Sequence, residues 1–358
     1  MGNKSAGLTF AAIGHQDSWG KITQFVNMIR QEEANPALLE DKVKEVYTYI
    51  PPQKLFDVEI NSPVTDAVNG FYIETFISPD ELGPSHLWQN VKKVKAACQK
   101  AVQMGADVVA LGGFTSIILE SGAANISYLD KTAFTTGNTL TTAFITDGVE
   151  KAVRVRNKRL GELTLLIIGS TGDIGSACAA YFSGKAKQML LTARQPGPLK
   201  KQEVELVQAG ISCSSSTDTQ SLLPLADIVI CVASSLLPGT YLDLLRDDAI
   251  VCDAGYPKNL QVPVNLKNQF FFSGGMGRVS EGYSIVQDEY RRIFYDFPLP
   301  NISHGCLLEA IVLALAGNAT SYSSGKGNIT TNSMHQMLEL AGKHAVFTAP
   351  FYNSNGVL

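Results

Sequence analysis

Two observations predict an α/β protein centred on a doubly wound parallel sheet. One is the stretch Thr164 to Ser176, TLLIIGSTGDIGS, where a short apolar run passes through three glycines into Ala-rich, helix-forming sequence. The other is the recurrence of such runs at Met189 to Arg194, Asp227 to Ser234, Ala249 to Gly255 and Phe270 to Gly275, with helix-length segments between them. Strands alternating with helices build parallel βαβ units. A separate α/β pattern precedes this region and a helical one follows it. The expected division is an N-terminal α/β substrate or carrier domain over 1–135, the sheet domain over 136–280, and a mainly helical C-terminal domain over 281–358.

The order strand, glycine turn, helix gives the central motif its chemistry. Thr164 to Ile168 has the length of a strand buried on both faces. Gly169 permits the tight turn, Gly172 lets backbone approach a pyrophosphate, and Gly175 lets helix pack on strand. Ser170, Thr171, Asp173 and Ile174 fill the loop, and the free N–H groups of the following helix face the phosphates. This is a dinucleotide cradle. The second strand ends in Thr192, Arg194 and Gln195, with no carboxylate before Glu203. A carboxylate would repel a 2′-phosphate and an arginine would hold it, so the cofactor read from these residues is NADPH. Ala233 and Ser234, small residues at the end of a later strand, lie where nicotinamide commonly sits.

Composition restricts the remaining choices. At 358 residues, with 45% hydrophobic and 17% charged residues, the chain has the make-up of an ordinary globular protein with a large core. A net charge of −4 gives no pull toward nucleic acid. No apolar run approaches the roughly 18 to 20 residues that span a bilayer, so only peripheral membrane contact is left open. Gly7 to Gly14 reads as a first strand and not a signal peptide, and Ala6 breaks the myristoylation pattern. The six cysteines, at 98, 178, 213, 231, 252 and 306, have no paired spacing; reduced thiols and a cytoplasmic location are expected. The five histidines include no pair at metal-ligand spacing, and no protein-held metal is expected.

Taken in order, Leu8 to Ile13 is a strand, Lys21 to Arg30 a helix, and Asp57 to Ile60 and Phe71 to Ile77 are strands. Leu87 to Met104 has helical apolar spacing with Lys92, Lys93, Lys95 and Lys100 on its polar side, and Gly105 stops it. Asp107 to Leu111 is a buried strand. It ends in Gly112-Gly113-Phe114-Thr115-Ser116, a glycine pair placed where a ligand meets backbone. Thr135 to Thr139 caps a helix that runs to about Arg159 and ends in Lys151, Arg154, Arg156, Lys158 and Arg159. A solvated helix end is the favoured reading of that basic run, and docking of an acidic partner the sharper one. Tyr256-Pro257-Lys258-Asn259 follows a strand's carboxyl end. After about Ser280 the chain reads as helical, Ser321 to Gly327 is a turn, and the tail from Pro350 reads as loose.

Cys306 follows Ser303-His304-Gly305 and opens the apolar helix Leu307 to Ala316. Helix N-termini favour a thiolate, and the thiolate is the nucleophile. Glu309 lies one helical turn on, within reach of a proton or water near the sulfur. The plain alternative is a small buried hydrophobe.

Five stretches resemble the long-chain acyl-[acyl-carrier-protein] reductases of cyanobacteria: Ala110 to Glu120, Phe134 to Asn138, Gly169 to Ser176, Ala254 to Leu260 and Cys306 to Glu309. They follow the family's order and approximate spacing. The resemblance implies NADPH-dependent conversion of a fatty acyl thioester, on acyl carrier protein or coenzyme A, to the fatty aldehyde. It implies that Cys306 carries the acyl group and that Glu309 holds a kept acidic position. Gly113 and the residues beside Cys306 then offer backbone N–H donors to the oxyanion, with the Lys258 ammonium as another donor. Gly113, Phe114, Thr115, Ser116, Asn138 and Tyr256 become the substrate-side residues, and an aldehyde-consuming enzyme a downstream partner. The chain departs from the family at Ser303-His304-Gly305, after Gly274-Gly275, over 15–56, and from Ser321 onward. Two other readings of the same residues are a shikimate-dehydrogenase-like NADP oxidoreductase that uses Lys258 on a hydroxyl substrate, and an NADPH-binding protein without turnover.

Overall fold

The computed structural model describes residues 7–16, 18–78, 81, 83–121, 131–233, 239–255, 268–286, 297–323 and 327–358. The first sheet holds β1 (Phe10–Gly14), β2 (Gln53–Ile60), β3 (Val68–Glu74), β4 (Val108–Leu111), β5 (Ala133–Thr135) and β13 (Tyr283–Ile285), in the order β13-β2-β3-β1-β4-β5. β1 runs parallel to both β3 and β4, and β4 parallel to β5, while β2 and β13 are antiparallel additions at one edge. The carboxyl ends of β1, β3, β4 and β5 therefore open on one side, where ligands meet such sheets.

The helices of this region follow from periodicity and capping. α1 (Trp19–Glu32) starts where the Ser18 hydroxyl accepts the Lys21 N–H, and it turns Trp19, Ile22, Phe25 and Val26 inward. Val43 of α2 (Glu40–Tyr47) and Phe76 complete that satellite core. α3 (Leu87–Gln103) buries Val91, Val94, Ala97, Cys98 and Ala101 against the sheet. α4 (Phe114–Ser121) begins directly after Gly112-Gly113, so Phe114, Thr115 and Ser116 open a helix.

The second sheet is wholly parallel among its described strands: β6 (Thr164–Ile168), β7 (Gln188–Thr192), β8 (Cys213–Ser215), β9 (Ile228–Cys231), β10 (Ile250–Asp253) and β11 (Phe270–Ser273). Its order is β11-β10-β9-β6-β7-β8. Counting from β6, that is 3-2-1-4-5-6 read from the other edge, the dinucleotide order with its switch point between the first and fourth strands. α6 (Asp173–Phe182) and α7 (Pro196–Gln208) supply two crossovers.

Between the sheets lie α5 (Asn138–Val155) and the cysteine helix (Gly305–Leu315), which pack on each other. The cysteine helix is apolar all round and buries every residue from Leu307 to Leu315, as a helix enclosed on all sides must. α5 also touches α6 and β10, and the cysteine helix touches β1 and β4, so one core spans both sheets.

The segment after 280, read as helical, also holds short strands. β12 (Met276–Val279) pairs with β14 (Ile302–His304) and β15 (Val346–Thr348), and β13 joins the first sheet. Strands of three or four residues carry too few alternations to announce themselves. The tail from Pro350, read as loose, forms a hairpin of β16 (Tyr352–Asn353) and β17 (Gly356–Val357). Asn353 Nδ2 donates to Phe271 O at 2.8 Å, and the Phe351 ring meets Phe270 and Phe272 edge-on, each at 4.9 Å.

Candidate active site

The glycine turn is tied down by its own backbone. The Gly169 and Ser170 N–H groups donate to Thr192 O at 2.9 and 3.1 Å, and Gln202 Nε2 donates to Ser170 O at 2.9 Å. A Cβ on Gly175 would lie 2.2 Å from Gly169 O, so only glycine lets α6 start against this turn. Gly172 is the N-cap of α6 and caps it with no side chain. Ser170 is fully buried and its hydroxyl has no partner among the described residues. An unpartnered buried hydroxyl beside an uncapped helix N-terminus fits a dinucleotide pyrophosphate.

The other expected cofactor residues divide. A Cβ on Gly169 would lie 3.0 Å from Ala233 Cα, so the ends of β6 and β9 meet at the switch point. Thr171 is half-buried in the turn, Ile174, expected in the loop, is half-buried in the first turn of α6, and Arg194 is exposed just beyond β7. Thr192 is buried instead, with its hydroxyl 3.0 Å from Thr219 Oγ1, and it braces the turn. Asp173 accepts from Asn138 Nδ2 at 2.8 Å and from Gly327 N at 3.0 Å. Ser234, Tyr256 and Lys258 lie outside the described residues.

Cys306 is the second residue of its helix and is half-buried. Burial pushes its thiol above the ordinary range. The N–H groups of Gly113, Leu307 and Cys306 itself pull it down, and the Glu309 charge pushes it up. The helix N-terminus thus acts in the expected direction, but burial prevails and the resting thiol is protonated at neutral pH. The fit around it is close. A Cβ on Gly112 would lie 3.9 Å from Sγ, and one on Gly137 would lie 2.1 Å from Cys306 Cα. Gly137 has φ +69°, so the start of α5 is pressed on the cysteine backbone by a residue that must be glycine.

Glu309 is fully buried one turn further on. Its Oε1 accepts from Thr135 Oγ1 at 2.5 Å and Ser323 Oγ at 2.9 Å, and Oε2 accepts from the Leu140 N–H at 2.8 Å. Burial raises its pKa and those donors lower it. The carboxylate is spent on joining β5, α5 and the Ser323 turn to the cysteine helix.

The carboxyl edge of the first sheet carries a buried polar group. His15 Nε2 accepts the Phe114 N–H at 3.0 Å, Nδ1 lies 3.0 Å from Gln16 O, and the ring stacks on Phe114. Glu74 accepts from Gln16 Nε2, Tyr72 OH and the Phe76 N–H; burial nevertheless lifts its pKa to about 7. Lys93, brought down to about 8 by burial, donates to Tyr47 O and Phe76 O. Of the expected substrate-side residues, Gly113 faces the sulfur and Phe114 stacks on His15. Thr115 braces the loop through Gly112 O, and Ser116 is buried. The Asn138 amide is turned to Asp173.

α5 thus touches both halves at its first turn: Asn138 holds the glycine loop while Gly137 abuts Cys306. His15, Glu74 and Ser323 were not named as site residues in sequence, and Thr135 and Gly137 were read only as part of a helix cap and of a resembling stretch. For His15 and Glu74 the available signal was position, since both close strands whose carboxyl ends open on one side. Among the described residues no group of three or more His, Cys, Asp or Glu could hold a metal, and no helix is long and apolar enough to cross a membrane.

No family model matches the chain. It is 28% identical over 353 residues to the long-chain acyl-[acyl-carrier-protein] reductase of Synechococcus elongatus, covering 94% of this chain and 97% of that protein. The chain is a relative of that reductase. It is also 22% identical over 267 residues to the aminotransferase PigE of a Serratia species, covering 72% of this chain and 30% of that one. Among solved structures it is similar to L-tryptophan dehydrogenase from Nostoc punctiforme, with a TM-score of 0.35 and 13% identity over 73% of this chain and 67% of that one. Quinate dehydrogenase from Corynebacterium glutamicum in complex with NAD gives 0.35 and 12%, over 71% and 82%. A reductase relative over nearly the whole chain and a dinucleotide-type sheet agree on an NAD(P)-dependent oxidoreductase.

Proposed function

We propose that this chain reduces a fatty acyl thioester, carried by acyl carrier protein or coenzyme A, to the fatty aldehyde through an acyl group held on Cys306. The observation that carries the reading is the first turn of α5, which joins the glycine loop through Asn138 to the cysteine backbone through Gly137. A cofactor on one side and a covalently held acyl group on the other would meet across two consecutive residues.

The Cys306 sulfur attacks the thioester carbonyl; a new thioester forms, the old C–S bond breaks, and the thiol proton leaves on the carrier thiol. Covalent capture divides one difficult displacement into two easier ones. The Gly113 and Leu307 N–H groups, which act on the resting sulfur, are the donors at hand for the oxyanion of both tetrahedral stages. When bound, NADPH supplies the hydride that takes the acyl group to the aldehyde level. Gly169, Ser170, Gly172 and Gly175 would hold its pyrophosphate, Ala233 would flank its nicotinamide, and Arg194 would meet its 2′-phosphate. The overall balance is thioester, NADPH and one proton in; aldehyde, carrier thiol and NADP⁺ out. Lys258 remains the proposed side-chain donor beside Tyr256, Glu309 fixes the cysteine helix, and the division into 1–135, 136–280 and 281–358 belongs to the same proposal.

The test is a mass-spectrometric search for an acyl adduct, with acyl-coenzyme A and acyl carrier protein offered separately and NADPH withheld. The expected result is one acyl group on Cys306 and none in Cys306→Ala, with aldehyde formation lost in that variant while NADPH binding is kept. Aldehyde turnover within tenfold of wild type in Cys306→Ala would remove the covalent route.

A further inference from the structure

We infer that His15 is a positioning residue, whose neutral imidazole fixes the loop amide facing the Cys306 sulfur. The inference rests on the reading of Cys306 as nucleophile and adds to it a residue that directly follows β1.

One short loop, Gly112 to Thr115, has nearly all of its backbone N–H groups engaged. The Gly112 N–H donates to Ile13 O at 2.9 Å, and Gly112 O accepts from the Thr115 N–H and hydroxyl at 3.2 and 2.8 Å. The Phe114 N–H donates to His15 Nε2 at 3.0 Å. Each of these bonds anchors the loop to β1 or to itself. The N–H of Gly113, between them, is the one left for the sulfur. Gly113 has φ +57°, and this left-handed bend sends two successive N–H groups in different directions. Without an acceptor at Nε2, the Phe114 N–H would be buried and unpaired, and the peptide would turn to relieve it. The neighbouring amide would swing off the sulfur with it.

The tautomer follows from the same contacts. Gln16 O only accepts, so Nδ1 carries the proton and Nε2 keeps its lone pair for Phe114. The ring is 6% exposed and stacks on Phe114 at 5.2 Å and 20°, which holds its plane. Among the described residues, the ionisable group whose charge acts on the sulfur is Glu309 from its own helix; His15 acts through the loop.

Two substitutions separate the acceptor from the shape. His15→Phe keeps a stacking ring and removes the lone pair; His15→Gln keeps an acceptor near Nε2. The readout is the pH dependence of Cys306 alkylation by iodoacetamide, in protein without substrate. In His15→Phe the alkylation midpoint should rise by about one pH unit, the size of one lost charge-assisted hydrogen bond. His15→Gln should restore most of it. With acyl-coenzyme A, His15→Phe should lower kcat about tenfold with KM little changed. A midpoint in folded His15→Phe equal to wild type overturns the inference, as does failure of His15→Gln to rescue. A wild-type measurement covers the case in which the variants fail to fold: nitrogen-15 imidazole spectra should show His15 protonated at Nδ1 alone at neutral pH, and a proton on Nε2 overturns the inference. An acyl adduct on Cys306 alongside any of these failures would leave the covalent reading standing and remove only His15.

Discussion

Glu74 sets a pH dependence that belongs to a single side chain. Its folded pKa of about 7 lies well above the ordinary carboxyl value because burial outweighs three hydrogen bonds. Folding therefore retains a proton that the unfolded chain releases between about pH 4.5 and 7. The stability Glu74 contributes is present below that window and lost as pH rises through 7. Against Glu74→Gln, which does not titrate, the wild-type advantage in urea unfolding should decline by on the order of 3 kcal/mol from pH 4.5 to pH 8. A difference that stays constant over that range would show that the carboxylate is charged throughout. At the same scale, exposed Arg194 is the residue proposed to read the cofactor's phosphate. Arg194→Ala should lower the preference for NADPH over NADH roughly ten- to a hundredfold, by the 1.5 to 3 kcal/mol of a charge-assisted bond. Dissociation constants for both cofactors measure it, and an unchanged ratio would assign the phosphate to another residue.

At the scale of elements, the contact between α5 and the cysteine helix is the tightest constraint on the site. Gly137→Ala would force a Cβ to within 2.1 Å of Cys306 Cα and hold alanine at φ +69°. Overpacking and left-handed strain together should cost about 2 to 4 kcal/mol, and turnover should fall with the displaced sulfur. Thermal unfolding and kcat of the variant check both, and a wild-type melting temperature would mean the crossing is looser than it looks. The glycine loop was legible in sequence because its strand, turn and helix are contiguous, and each glycine has a fixed duty. Cys306 was legible through its place at the start of an apolar helix and through the resemblance of Cys306 to Glu309. Gly113 was legible as well, as half of a glycine pair at a strand's carboxyl end. The rest of the site was not, for a physical reason: His15, Gly137 and Ser323 come from three distant stretches that only tertiary packing brings to Gly113 and Cys306. Glu309 shows the same limit. Its spacing from Cys306 suggested work at the sulfur, whereas its oxygens are taken by Thr135, Ser323 and Leu140.

At the scale of the molecule, the charges that looked available for an acidic carrier are largely engaged. Lys151, Arg154, Lys158 and Arg159 face Asp147, Glu150, Asp248 and Glu162, and Arg156 donates to Asn268. On α3, Lys93 and Lys100 donate to carbonyls of the chain before it, which leaves Lys92 exposed and Lys95 half-buried. The C-terminal hairpin has a different bearing on the whole. β11 is the last strand of its sheet, and Asn353 and Phe351 lie against it. An uncovered strand edge is a template for another chain, and Phe270 to Phe272 is an apolar triplet without a charge. A chain ending at residue 349 should therefore keep its secondary structure yet self-associate on concentration, seen as rising light scattering at constant circular dichroism. If that shortened chain stays monodisperse, the edge needs no cover. If it aggregates, a few residues at the C-terminus act as a built-in guard against fibril-like pairing, and any fusion that disturbs them would lower the soluble yield.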